Sequence, residues 1–270
     1  MEGLKSARIM PTNRREPETI MTASSASLAT ALADAHRQRR QLDAATLSAP
    51  ASNEAALGVH TAYAQALGAE IGGWKVAVTP GGDVVGAPIF AKLFVADGAT
   101  VTMPPQGPIG IEVEIALRLK QDLPAKAGGY TRQDILAATG AVMVGIEIVE
   151  SRIKDFKQAP YSLFVADLMA NYGYVPGREI ADFAAIPLDK LRCTLKIAGK
   201  TVHDAVGGHA NGDPLVPAVA FASRPESYLG GLRKGQLVTL GSMCGLIPTN
   251  ERGLVEAEIE QLGRLTITLV

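Results

Sequence analysis

The sequence predicts an α+β protein, a mostly β core with a small helical N-terminal portion and a few inserted helices. Three observations carry this. Short apolar runs of strand character recur from residue 73 to the last residue, and Gly and Pro clusters such as TPGGD, PPQGP and VPGRE punctuate them. Long segments with helical periodicity are confined to the first seventy residues. Strands and helices do not alternate regularly, which argues against a doubly wound sheet. There is no GxGxxG, no phosphate-binding P-loop and no internal repeat.

In chain order, residues 1–20 mix acids with bases and lack the apolar stretch of a secretory signal, so a disordered extension is expected there. Met21 opens MTASSASLATALADAHRQ, a serine-rich cap before a periodic Leu/Ala helix, and reads as a natural start of folded structure. Helices are predicted over 27–42 and over 53–67, the second opening on Asn53 and closing at Gly68. They make residues 21–70 a helical portion ahead of a β-rich domain, 71–270. Strands are predicted over 73–79, 99–104, 111–119, 141–149, 191–197, 236–242 and 264–270. Two more helices are predicted at 131–139, opened by Thr131, and at 213–223, opened by Asp213 with Pro214 in the first turn.

Composition narrows the function classes. The chain has 270 residues, enough to bury a full core, with 47% hydrophobic and 20% charged residues, as soluble globular proteins have. A formal net charge of -1 and 5% aromatics offer neither the basic surface nor the stacking surface of a nucleic-acid binder. The one basic cluster, HRQRR at 36–40, falls on a predicted helix and reads as its solvated face. Cys193 and Cys244 are too few for a disulfide framework or a thiolate zinc site, which suggests a reducing cytoplasm. No apolar run reaches the length of a membrane span.

The informative stretch is GIEVEIALRL, 110–119. In a strand, Glu112 and Glu114 share one face while Ile111, Val113 and Ile115 share the other. The bland meaning is a sheet with one wet face. A third acid, Glu147, sits in the apolar strand VMVGIEIVES on the face opposite to Val144, Ile146 and Ile148. Three carboxylates converging in a cleft repel one another and resist desolvation unless a cation lies between them. Hard oxygen ligands suit Mg²⁺ or Mn²⁺, which keep water positions open for a chelating substrate. Periodicity alone leaves the wet sheet and the metal site both standing.

GWKV at 73–76, IEVEIALRL followed by LKQDLPA, GIEIVESRIKDF at 145–156, NGDPL at 211–215 and VTLGS at 238–242 resemble, in this order, the 2-keto-4-pentenoate hydratases of the wider fumarylacetoacetate hydrolase family. The 4-oxalocrotonate decarboxylases are related to them. The resemblance runs from about residue 53 to the C-terminus and implies a mixed-sheet barrel or roll core, with 71–270 as the catalytic domain. It implies that Glu112, Glu114 and Glu147 hold one divalent metal, Mg²⁺ or Mn²⁺. It also implies that Lys75 binds the substrate carboxylate or shuttles a proton. The substrate class is a short 2-oxo or 2-hydroxydienoic acid such as 2-hydroxypenta-2,4-dienoate, chelated through its carboxylate and 2-oxygen, and a homo-oligomer is implied too.

The chain departs from that pattern in two places. The hydratases carry an acid just before the Phe of a DFGTLF-like segment, where APIFAKLF has Ile89, with Lys92 where a small polar residue is usual. Their ADNAS-like segment reads ANYGY here, 170–174. Decarboxylation, or a homologue that binds an oxo acid without turnover, therefore stays open beside hydration. Hydrolytic members use a histidine and glutamate pair, and His60 has no acid beside it in a matching motif. Arg152 and Lys154 are placed to meet an anionic substrate, although a surface pair with Asp155 is the commoner meaning of such charges. Ser242 matches a position where the family lines the active site. His203 and His209 lack zinc-ligand spacing, and Cys244 reads as a small packed thiol.

Overall fold

A computed structural model describes residues 23–105, 107–224 and 228–270. The expected extension 1–20 and the start at Met21 lie outside these residues. The chain opens with helices α1 (Ala23–Gln38) and α2 (Asn53–Leu67) and continues through β1 (Ile71–Val78), β2 (Val84–Phe90), β3 (Thr100–Val101) and β4 (Ile109–Leu119). Helix α3 (Arg132–Ala138), β5 (Thr139–Val149), α4 (Tyr161–Ala166), β6 (Asn171–Pro176), β7 (Arg192–Ile197) and β8 (Lys200–Val206) follow. Helix α5 (Val216–Ala222) and strands β9 (Leu237–Ser242), β10 (Ile247–Thr249), β11 (Gly253–Ile259) and β12 (Gly263–Leu269) complete it.

Helix boundaries follow their caps. Ser52 accepts from Ala55 N at the start of α2, and left-handed Gly68 closes it. Thr131 and Asp134 form a reciprocal capping box on α3. Helix α1 begins earlier than the predicted 27 and stops at Gln38, before Arg39 turns left-handed. Helix α5 starts later than the predicted 213, because Asp213 spends its carboxylate on the Leu215 N–H and Pro217 lies in the first turn.

Two mixed sheets form the body. The first runs β2-β1-β9-β4-β5-β6, with β10 pairing the start of β4, and the second runs β3-β12-β11-β7-β8. Strands β1 and β9 are parallel while β4 and β5 are antiparallel neighbours, so the roll-like mixed core is realised. One face of the first sheet, bearing Trp74, Ile111, Val113, Ile115, Val144, Ile146 and Val238, packs on Leu195, Val255, Ala257 and Ile267 of the second. Its other face is covered rather than wet. Over β2, α1, α2 and α4 bury a second cluster through Leu32, Leu57, Tyr63, Phe90 and Leu163. Among the described residues no helix is long and apolar enough to cross a membrane.

Candidate metal centre

The alternation of β4 and β5 builds the centre. Antiparallel register sets Glu112 directly opposite Glu147, and Glu114 opposite Gly145. The three glutamates therefore project from one face, while the alternate residues fill the core between the sheets. Their carboxylate oxygens lie within 4.8 Å of one another. Glu114 is 1% exposed, Glu147 is fully buried and Glu112 is half-buried, which rules out the wet-sheet meaning.

Lys75 comes from β1, two strands away. Its neighbour Thr239 on β9 pairs in turn with Ala116 of β4, so Lys75 shares the glutamates' face. Lys75 Nζ donates to Glu147 Oε1 at 2.6 Å and to the Met169 carbonyl at 2.9 Å. Burial disfavours the ammonium, but Glu147, Glu112 and Glu114 together outweigh it and hold the lysine above its ordinary pKa. Burial pushes the Glu112 carboxyl up to about 7 against the pull of Lys75, and burial with its two carboxylate neighbours pushes Glu114 well above the usual range.

The Met169 carbonyl is presented by an uncommon turn. Leu168, Met169 and Ala170 are consecutive left-handed residues (φ 55°, 51° and 59°), none of them glycine, and all are buried. A left-handed L-residue costs roughly 1–2 kcal/mol, so surrounding packing has to hold such a turn. Beside it, Asn171 Nδ2 donates to Glu147 Oε1 at 2.9 Å. Glu147 Oε1 thus has two donors, whereas Glu147 Oε2 and Glu114 Oε2 are buried with no partner. Orphaned carboxylate oxygens at the meeting point of three acids are the condition a bound cation relieves. The residues present fit a divalent metal.

Other candidate residues are placed differently. Arg152 does not pair with Asp155 at the surface; it is buried and bound to Asp167. Its Nε donates to Asp167 Oδ1 at 2.6 Å, Nη1 to the Asn171 carbonyl at 2.5 Å, and Nη2 to the Asp167 carbonyl. Each guanidinium nitrogen already has an acceptor, so Arg152 supports Asn171 from behind rather than facing the three glutamates. Ser242 stands across from Glu114, but its Oγ donates to the Gly245 carbonyl at 3.1 Å and accepts from Cys244 N, tying the turn after β9. Cys244 lies in that turn with its Sγ accepting from Val113 N at 3.4 Å. The Cys193 thiol, the Val113 N–H and Ser242 draw the Cys244 thiol down to about 7 against the effect of burial.

His60 and His209 tie elements together, whereas the buried Nε2 of His203 in β8 has no partner. His60 donates Nε2–H to the Val165 carbonyl at 2.6 Å, joining α2 to α4, and burial lowers its pKa to about 4. His209 pins its loop to β9 through the Leu240 carbonyl at 2.8 Å. Ile89 is fully buried beneath the centre with Ala116, Met143, Tyr174 and Leu237, whereas Lys92 is exposed at the surface. Asn171, Asp167, Tyr174 and the Met169 carbonyl were not singled out from sequence as site groups. Only the ANYGY stretch pointed near them.

Residues 79–270 match the family profile described as fumarylacetoacetate (FAA) hydrolase, C-terminal. The chain is 31% identical over 183 residues to a 2-keto-4-pentenoate hydratase of Paraburkholderia phymatum, covering 66% of this chain and 69% of that protein. It is 31% identical over 173 residues to a 2-hydroxyhexa-2,4-dienoate hydratase of Comamonas testosteroni, covering 63% of this chain and 64% of that one. Among solved structures, a 4-oxalocrotonate decarboxylase from Pseudomonas putida G7, complexed with magnesium and adipate, superposes with a TM-score of 0.77 at 18% identity. That superposition covers 93% of this chain and 99% of the other, and so shows a shared fold over nearly the whole length.

Proposed function

This chain belongs to the fumarylacetoacetate hydrolase family, and from that premise we propose that it is a divalent-metal-dependent lyase hydrating a short 2-hydroxydienoic or 2-oxo acid such as 2-hydroxypenta-2,4-dienoate. The observation that carries the reading is the trio of half-buried Glu112 and buried Glu114 and Glu147, with two partnerless oxygens beside one buried lysine. Once their protons are displaced, three carboxylates against one ammonium leave two negative charges, which matches the charge of Mg²⁺ or Mn²⁺. When bound, such an ion draws electrons from a chelated 2-oxo group and stabilises negative charge as it develops at that oxygen.

The chain's own groups supply the remainder. Lys75 holds a proton at Nζ, fixed between Glu147 and the Met169 carbonyl, where it can meet the substrate carboxylate or pass a proton to carbon. Asn171 keeps Glu147 turned inward, and Arg152 with Asp167 keeps Asn171 in place. The left-handed turn closes on the Lys75 side through the Met169 carbonyl, and Glu114 and Glu147 are shut off from bulk water. Ser242 bounds the site on the β9 side. Assembly as a homo-oligomer belongs to the same reading, and sedimentation as a monomer at micromolar concentration would contradict it.

Decarboxylation is the second reading. It is favoured by the apolar floor of Ile89, Met143 and Leu237, which offers no side chain to activate water. The test is direct: the Mg²⁺-loaded protein is given 2-hydroxypenta-2,4-dienoate or 4-oxalocrotonate in separate assays. Loss of the dienol absorbance with formation of a 4-hydroxy-2-oxo acid supports hydration. Release of CO₂ from the second acid alone supports decarboxylation. No turnover of either leaves an oxo-acid-binding homologue and removes the lyase reading.

A further inference from the structure

Among the described residues two buried hydroxyls at the centre, those of Thr239 beside Glu114 and of Tyr174, have no task in that reading, and Tyr174 is the one the backbone makes room for. Tyr174 lies opposite Glu147 in the β5–β6 register, and its ring crosses Gly145, the residue paired with Glu114 on the other side of β5. A Cβ at position 145 would run into the Tyr174 hydroxyl and Cζ, so only glycine lets the phenol reach this far. The ring is fully buried and wedged edge-on against Phe94 at 6.1 Å, in the cluster with Ile89 and Met143. Its hydroxyl has no hydrogen-bond partner, and neither do the nearby Oε2 atoms of Glu114 and Glu147. A phenol is a donor and an ionised carboxylate only an acceptor, so the buried groups complement one another. Carboxylate torsions are broad, so Glu114 is free to turn an oxygen toward the hydroxyl that crosses its paired residue Gly145.

We propose that Tyr174 is a positioning residue of the metal centre, its hydroxyl donating to the partnerless oxygen of Glu114 and holding that carboxylate toward Glu112 and Glu147, with Gly145 kept small to admit it. The proposal rests on the metal reading above. Burial, Glu114 and Glu147 all push the phenol up, which keeps it a neutral donor. Hydrogen bonds of this kind fix a ligand's rotamer before the metal arrives, so their loss appears as weaker metal binding.

The experiment is calorimetric titration of Mn²⁺ into the chelator-stripped full chain, into Tyr174→Phe and into Tyr172→Phe. The Tyr172 hydroxyl accepts from Arg39 and lies away from the glutamates, so that variant controls for loss of a β6 hydroxyl. We expect Tyr174→Phe to weaken Mn²⁺ binding by roughly 10-fold or more and Tyr172→Phe to leave it unchanged. Mn²⁺ should also produce a near-ultraviolet tyrosine difference band in the parent protein that Tyr174→Phe lacks. Unchanged affinity in Tyr174→Phe, or equal weakening in both variants, overturns the proposal while the metal reading stands. Absence of the difference band on Mn²⁺ binding to the parent overturns it even if Tyr174→Phe fails to fold. A parent that binds no Mn²⁺ overturns both.

Discussion

Two buried ion pairs lie next to each other in this molecule, and Asn171 touches both. In the first, Asp167 accepts from Arg152 Nε, Arg152 N and Ser151 Oγ at 2.6–2.8 Å, and neither partner keeps a buried polar atom without a bond. In the second, Glu147 accepts from Lys75 and Asn171 through one oxygen and leaves the other bare, beside Glu114 with another bare oxygen. Burial and charge type are alike in the two pairs. Completeness differs, and it separates a pair that stabilises the fold from one held ready for something the chain does not itself supply.

The contrast predicts opposite responses to substitution. Asp167→Ala leaves Arg152 charged in a dry interior and should cost about 3–5 kcal/mol of stability in denaturant titration. A cost under about 1 kcal/mol would place the pair with exposed salt bridges instead. Glu114→Gln removes one of three mutually repelling carboxylates, so the metal-free protein should melt no lower than the parent. Its Mn²⁺ affinity should fall beyond the roughly 10–100-fold that removal of a supporting group costs. A large drop in melting temperature with metal binding intact would make Glu114 structural and erase the distinction.

The smallest effect concerns pH. Glu112 is raised from its ordinary 4.5 to about 7, so between these values the folded state binds more protons than the unfolded state. Metal-free stability from this group is therefore greatest at the acid end and is lost as pH rises from 4.5 toward 7. Metal binding runs the other way, because the ion must expel that proton. Mn²⁺ affinity should weaken below pH 7 by up to about tenfold per unit for each proton expelled, Glu114 holding a second one. Calorimetry across this range would show it, and a flat profile would remove the proton from Glu112.

Much of this was legible in the sequence, and the gaps have physical causes. The glutamates stood out because β4 and β5 alternate cleanly within otherwise apolar runs. The strands that escaped notice include the edges β2, β6 and β8. Strand β2 carries Gly86 and Pro88, tolerated because an edge needs no donor on its free side, and β8 is exposed along most of its length. Strand β11, GLVEAEI, mixes helix formers (Leu254, Glu256, Ala257, Glu258) with Val255 and Ile259, and its pairing with β12 and β7 decides between them. The site's supporting groups were hidden for another reason. A carbonyl offered by Met169 in a left-handed turn of ordinary residues has no side-chain signature, and an arginine destined for a buried aspartate fifteen residues on reads like any surface charge.

The central claim is that the incomplete pair is a metal centre for a chelating oxo acid. Calorimetric titration of oxalate, a planar mimic of a 2-oxo acid enolate, into chelator-stripped protein with and without Mg²⁺ or Mn²⁺ tests it most directly. Oxalate binding that appears only with the metal is the predicted result. Binding in neither condition, or equal binding in both, would contradict it and leave Glu112, Glu114 and Glu147 as a buried cluster that holds no working ion.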